Sequence, residues 1–278
     1  RDDLRSFLKG DYWMAPEAIK RLTGSPDLYQ KGYEGYNSSV NFLTCHDGFT
    51  LYDLYAYNEK HNYANGWNNT DGADDNRSWN CGAEGMTEDE NVNQLRMKLM
   101  KNACAVLMCS RGTPMFLAGD EFGNTQFGNN NAYCQDNEIS WLDWNLLDKN
   151  RELFDFFKRM IGFRRVHPAV RRDLEPAKCG FPKISAHTHK PWDGDITSET
   201  RVICVMYAGF DSDRGKDDIV YVAVNAYWEE QKITLPGLSE GWGWQLYACT
   251  GQENPGGIWD EMRMEPRSVA VWQAVGRF

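Results

Sequence analysis

The segment 39–55, SVNFLTCHDGFTLYDLY, starts as an apolar run and breaks at His46-Asp47-Gly48. A second apolar run, TPMFLAGDEFG, breaks in the same way at Asp120-Glu121. Carboxylates at such positions can act as nucleophile, acid, base or hydroxyl-binding group, and an imidazole can donate to a substrate oxygen. An isolated Asp after a strand more often caps the next helix or holds a turn. Here both breaks are followed by Asn-rich, aromatic loops, which points toward a carbohydrate cleft. The first loop carries Tyr55, Tyr57, Tyr63, Trp67 and Trp79, and the second carries Asn129, Asn130 and Asn131. A flat ring packs well on the apolar face of a pyranose, although aromatic side chains also dominate cores. Gly48 either lets the backbone approach another group closely or permits a turn.

Other candidate sites are weaker. DGADDN at 71–76 fails the EF-hand frame, because counting from Asp71 puts Asn76 at the position that needs Gly and Gly82 at the position that needs Glu. His187 and His189 lack a further His or Cys nearby and read as an exposed polar turn. His61 lies near Tyr63 and Trp67 and would border the cleft. His167 precedes Pro168 at a helix end, where it would meet terminal carbonyls. Phosphate-cradling, dinucleotide and G-x-S-x-G patterns are absent, so no organic cofactor is expected; no metal site is assigned, and for 71–76 the alternative to a solvated polar loop is an irregular oxygen-rich cation site.

The elements that position these residues follow from periodicity. Residues 1–22 read as helix interrupted at Pro16, followed by a loop over 23–37 and a strand over 39–46. Residues 48–90 form a long loop, read as ordered and ligand-facing because of its aromatic content. Thr87 and Glu90 match a capping box, and Leu95, Leu99, Ala103 and Val106 keep helical spacing up to Arg111-Gly112. A second helix, KNRELFDFFKRMIGFRRVHP, ends at Pro168. Strand, loop and helix thus occur twice in order, with the polar loop after the strand, as in a parallel β/α architecture. Beyond residue 172 only short strand-like runs remain, among them TRVICVMYAGF, DIVYVAVNAY and SVAVWQAVG. These suggest an antiparallel β-sandwich, giving an α/β region over 1–172 and an all-β region over 173–278.

The chain has 278 residues, a net charge of −10 and a pI near 5.1. Such acidity argues against nucleic acid and anionic membranes as partners. No apolar run approaches the length of a membrane span, and no export signal is visible. Eight cysteines without a C-x-x-C pair, several inside apolar runs, suit a reducing cytoplasm.

VNFLTCHDGFTLYDLYAYNEKHNYANG, DNRSWNCGAEG, SRGTPMFLAGDEFGNTQFGNNNAY and FFKRMIGFRRVHP occur in that order, and together they closely resemble the isoamylase-type glycogen and starch debranching enzymes of the alpha-amylase superfamily. The resemblance implies the last part of a (β/α)8 barrel followed by a C-terminal β-sandwich. It implies a retaining hydrolase of α-1,6 branch linkages in glycogen, amylopectin or limit dextrin. His46 would hydrogen-bond the sugar at the cleavage subsite, and Asp47 would grip ring hydroxyls and stabilise the transition state. Asp120, Glu121, Asn130, Tyr57 and Trp67 would contribute to substrate binding. A retaining glycosidase needs a nucleophile and an acid about 5–5.5 Å apart. The family's Gly-x-Arg-x-Asp block and its Glu block, which supply them, do not occur in this sequence. The expectation is a C-terminal portion that is inactive alone. With barrel edges open, it would associate with itself or a complementing N-terminal part, or rearrange its helices over those edges. Two alternatives are a non-catalytic glucan-binding or regulatory piece and an α-1,4-acting member of the superfamily. The TCHDGFTLYDL block with its long following loop disfavours the latter.

Overall fold

The structure, a computed structural model, describes residues 1–29, 39–252 and 256–276. The loop expected over 23–37 therefore lies, from residue 30 on, outside the described residues. The first segment is two helices rather than one: α1, Asp2–Lys9, and α2, Ala15–Leu22. Gly10, at φ +96°, ends α1, and Pro16 sits in the first turn of α2, where its missing N–H costs nothing.

Both expected strands shrink. β1 is Val40–Asn41 and β2 is Thr113–Pro114, paired in parallel with Val40 opposite Thr113. Among the described residues each has a single strand neighbour, and beyond Asn41 the backbone is engaged by side chains instead of a ladder. The Leu43 carbonyl, for example, accepts from Arg5 at 2.6 Å. Between them, α3 covers Leu51–Leu54 and α4 covers Glu90–Cys109. The capping box is replaced by Asp89, whose carboxylate accepts from the N–H groups of Asn91 and Val92. Buried Arg164 closes the other end of α4, donating to the carbonyls of Met108, Ser110 and Gly112. That arginine comes from α6, Arg151–Val166, which follows α5, Asn145–Lys149, and precedes α7, Pro168–Arg171.

The remaining strands are antiparallel. β3, Ile184–His187, lies where the sequence reads as an exposed polar turn. It starts a six-stranded sheet with β4, Val202–Asp211; β5, Lys216–Asn225; β10, Ser268–Gly276; β7, Trp242–Cys249; and β8, Ile258–Trp259, in that order. β6, Gln231–Thr234, and β9, Glu261–Met264, form a separate ribbon.

Alternation in the central strands divides their side chains between two cores. Ile203, Val205, Tyr207, Val220, Val222, Val224, Val269 and Val271 face the helices and share a core with Leu99, Val106, Phe157 and Phe163. Cys204, Met206, Tyr221, Ala223, Ala270 and Trp272 face the other way, against Ile233 of β6 and Met262 and Met264 of β9. Both faces of the sheet are thus covered.

His167 locks helices to sheet. Its Nδ1 lies 2.6 Å from Asp218 and its Nε2 2.9 Å from Gln273, so it meets strand side chains rather than helix-end carbonyls.

Candidate functional site

The chain from Leu43 to Leu51 crosses the end of β1 and is held from beneath. Asp120 is the central clamp. One of its oxygens accepts the Leu51 N–H at 2.8 Å, and the other accepts the Thr44 hydroxyl and, at 3.1 Å, the Leu117 N–H. At 1 % exposure it cannot meet a ligand, so the expectation that it binds substrate gives way to a scaffold role. Burial pushes its carboxyl up to about 7 even though these hydrogen bonds favour the charged form. Asp53, also buried, is pushed up to about 6 and ties α3 to the second loop through the Thr125 hydroxyl and the Gln126 N–H.

Asparagines stitch the two polar loops together. Asn130 Nδ2 donates to the Ala73 carbonyl at 2.7 Å and to Asn76 Oδ1 at 3.0 Å. Asn62 and Asn130 form a reciprocal pair, Asn62 Nδ2 donating to Asn130 Oδ1 and the Asn130 N–H donating back to Asn62 Oδ1. Asn129 pairs with Asn65, whose amide also reaches Asp71 together with that of Asn131. Asn130 is therefore buried and fully engaged, and its expected contact with substrate is corrected to loop assembly. Arg96 ties α4 to the first loop by donating to the carbonyls of Asn80, Ala83 and Gly85. The loop over 48–90 is ordered because side chains satisfy its backbone, in place of a strand ladder.

Tyr57 is buried as well, its ring between Phe49 and His61, and burial pushes its hydroxyl up to about 12. The ring covers Gly128, where a Cβ would lie 2.8 Å from it and where φ is +78°, so only glycine fits. Tyr57 thus packs and does not present a face to a ligand. His61 borders this patch, with its ring 3.3 Å from Glu84.

On this base His46 and Asp47 stand exposed, the Asp47 side chain at 60 %. Gly48 takes φ +82° and donates its N–H to the Asn130 carbonyl at 2.9 Å, which is the turn option rather than a close approach. The Cys45 thiol donates to Asp47 Oδ1 at 2.6 Å, and this bond is the main reason the Asp47 carboxyl is held below the usual carboxylate range. Burial, then the same carboxylate, pushes the thiol up. Ligand atoms of Cys45, His46 and Asp47 all lie within 4.8 Å of one another. With its thiol protonated and donating, the trio is arranged as a hydrogen-bonded pair beside an imidazole rather than as a preformed ligand set. Glu121 is partly exposed, one oxygen accepting the Gly119 N–H at 2.9 Å, and Trp67 and Tyr63 are exposed rings on the first loop.

The surface thus keeps His46, Asp47, Glu121 and Trp67 accessible and turns Asp120, Asn130 and Tyr57 into their support. The acidic stretch 71–76 is engaged by protein groups, with Asp74 on Lys60 and Asp75 on Arg77. His187 is no exposed turn: it is buried on β3, contacting Ser185 and the Trp192 N–H, and burial pushes its pKa down.

Sequence reasoning missed Arg5, Arg96, Asp53 and Asn62. Charged residues inside apolar helical stretches, as Arg5 is in DLRSFL, were the available signal.

These same loops and helices recur in other proteins. The chain is 40% identical over 268 residues to a protein named glycogen operon protein GlgX homolog from Mycobacterium bovis, covering 88% of this chain and 37% of the relative. It is 40% identical over 259 residues to isoamylase 3, chloroplastic, from Oryza sativa subsp. japonica, covering 93% of this chain and 32% of the relative. The chain belongs to the isoamylase and GlgX family. Identity in this family rises to 47% over 174 residues with a glycogen debranching enzyme of Pectobacterium atrosepticum, covering 62% of this chain and 26% of that protein. The chain spans about a third of the length of the GlgX and isoamylase relatives (37% and 32%). No protein-family model matches it. An Anoxybacillus pullulanase crystallised with maltotetraose superposes with a TM-score of 0.66 at 20% identity, over 96% of this chain and 32% of that one. The pullulanase of Bacillus acidopullulyticus gives 0.65 at 20% identity, over 98% of this chain and 30% of that one. At that identity the likeness is one of fold.

Proposed function

We propose that this chain is the C-terminal portion of a glycoside hydrolase that debranches glycogen or starch at α-1,6 linkages with retention. Residues 1–172 would be the last part of a (β/α)8 barrel and 173–278 a β-sandwich domain. The observation that carries the reading is the pairing of an exposed imidazole and an ionised carboxylate, His46 and Asp47, on a buried Asn/Asp scaffold.

In this reading His46 donates to a ring hydroxyl, and Asp47 accepts from hydroxyls while its charge faces an oxocarbenium-like transition state. Trp67 offers an apolar face to a glucose ring, and Glu121 accepts from a hydroxyl at the rim. The nucleophile and the general acid would come from segments this sequence does not contain, so the chain alone releases no sugar. A reducing compartment, the cytoplasm, fits eight free cysteines, five of them buried. Among the described residues no helix is long and apolar enough to cross a membrane.

The decisive experiment grafts this chain behind the preceding part of the Mycobacterium relative. The hybrid is expected to release linear chains from amylopectin, and Asp47→Asn to lower kcat by about 10²–10³. A hybrid that cleaves only α-1,4 links, or turnover of pullulan by the chain alone, overturns the reading.

A further inference from the structure

The glucan reading gives Cys45 no contact with sugar, yet its thiol lies against the two groups that reading uses. Cys45 is 8 % exposed, but its sulfur is turned toward the surface. Sγ lies 2.6 Å from Oδ1 of Asp47, whose side chain is exposed. The exposed His46 ring completes the group, and one ligand atom from each of the three residues lies within 4.8 Å of the others. Sulfur, nitrogen and oxygen donors thus converge on one turn. That turn is held from beneath, by the Gly48 N–H on the Asn130 carbonyl and by Asp120 on Thr44 and Leu51.

The donor set selects the cation. Calcium and magnesium require six or more oxygen ligands, whereas thiolate with imidazole and carboxylate suits zinc. Zinc bonds of about 2.3 Å to sulfur and about 2.0–2.2 Å to nitrogen and oxygen place tetrahedral ligand atoms about 3.4–3.6 Å apart. The trio approaches that spacing to within about 1 Å, the sulfur–carboxylate pair opening from 2.6 Å and the imidazole closing from within 4.8 Å. Two of the three side chains are exposed and free of packing that would resist such rotations. Arg1, with Nη1 3.9 Å from Asp47 Oδ1, is a loose surface partner that a divalent cation displaces.

The exchange balances in protons and charge. Without metal the thiol holds its proton and donates it to Asp47. On binding, the S–H bond breaks, the sulfur electron pair forms the zinc bond, and the proton leaves to solvent. His46 binds through its neutral ring nitrogen and Asp47 as the carboxylate, so thiolate and carboxylate neutralise the cation. Water fills the fourth position.

We propose that Cys45, His46 and Asp47 form a zinc-binding site whose occupation withdraws His46 and Asp47 from sugar. The inhibitory role rests on the glucan reading above, whereas zinc binding does not.

The test titrates cobalt(II), a spectroscopic stand-in for zinc, into the 278-residue chain. A thiolate-to-cobalt absorption band is expected, and zinc should abolish it while magnesium leaves it unchanged. The band should be absent from Cys45→Ala and kept in Cys134→Ala, which removes an exposed thiol outside the trio. His46→Ala and Asp47→Asn, at exposed positions, are each expected to weaken zinc binding by about a hundredfold. No band in wild type, a band that survives in Cys45→Ala, or one that vanishes in Cys134→Ala overturns the site. In the hybrid enzyme, zinc should lower the rate, and in its Cys45→Ala form the ratio of rates with and without zinc should stay near one. An active hybrid that zinc does not slow overturns the inhibitory role. An inactive hybrid removes the hydrolase reading and that role with it, and leaves the zinc site standing on the cobalt band.

Discussion

The β sheet and the loop scaffold beneath His46 and Asp47 are held together in opposite ways. In the sheet, neighbours along one strand divide strictly between two cores: Val205 and Tyr207 face the helices, while Cys204 and Met206 face the ribbon. In the scaffold the parallel ladder is only two residues long on each strand, and order comes from buried Asp, Asn and Arg side chains that reach across the chain. The sheet is stabilised by non-directional burial of area. The scaffold depends on directional bonds that fail individually. The proposed site sits on the second kind of structure, which holds polar backbone at the surface without covering it.

Breaking the sheet should cost most. Trp272→Ala empties a fully buried site between sheet and ribbon, and a loss of about 3–5 kcal/mol in urea unfolding is expected. Asn130→Ala should cost less, about 1–3 kcal/mol, because it removes three buried side-chain bonds, to Asn62, to Asn76 and to the Ala73 carbonyl. Its signature is local: hydrogen exchange should accelerate over 58–80 and stay unchanged in β4 and β5. An effect spread evenly over both regions would show that the scaffold is not a separate cooperative layer.

Asp120 sharpens the contrast through pH. Its folded-state pKa is raised by burial to about 7, above the unfolded value of about 3.9. Such a carboxyl contributes stability in full below the unfolded value and loses it as pH rises through about 7. Asp120→Asn cannot titrate, so its deficit against wild type should be larger at pH 4 than at pH 8. A deficit that grows with pH would mean that the clamp is ionised in the folded state.

Trp67→Ala, at the exposed tip of the first loop, marks the small end. Its stability should change by less than about 0.5 kcal/mol.

The two regions also differed in how far the sequence could be read. For the sheet, short apolar runs gave the central strands, because strands covered on both faces are apolar at nearly every position. For the scaffold, the accessible and the buried members look alike in sequence. Asp47 and Asp120 both follow an apolar run, yet one is exposed and the other clamps Thr44, Leu51 and Leu117. Tyr57 and Trp67 lie on one loop, and only contact with Gly128 takes Tyr57 out of reach. The capping box at Thr87 failed for a local reason, since Asp89 is nearer the first orphan N–H groups and accepts two of them.

By itself the sequence determined the long helices, the central strands of the sheet, the net charge, and the position of the His46-Asp47 break. These depend on local pattern and total charge, which folding does not alter. Tertiary structure alone decided which polar groups reach solvent. It buried Asp120 and Asn130 as supports and left Asp47 ionised beside a protonated thiol. The physical reason is that desolvation and hydrogen-bond satisfaction are set by residues tens of positions away, and no local window of sequence contains them.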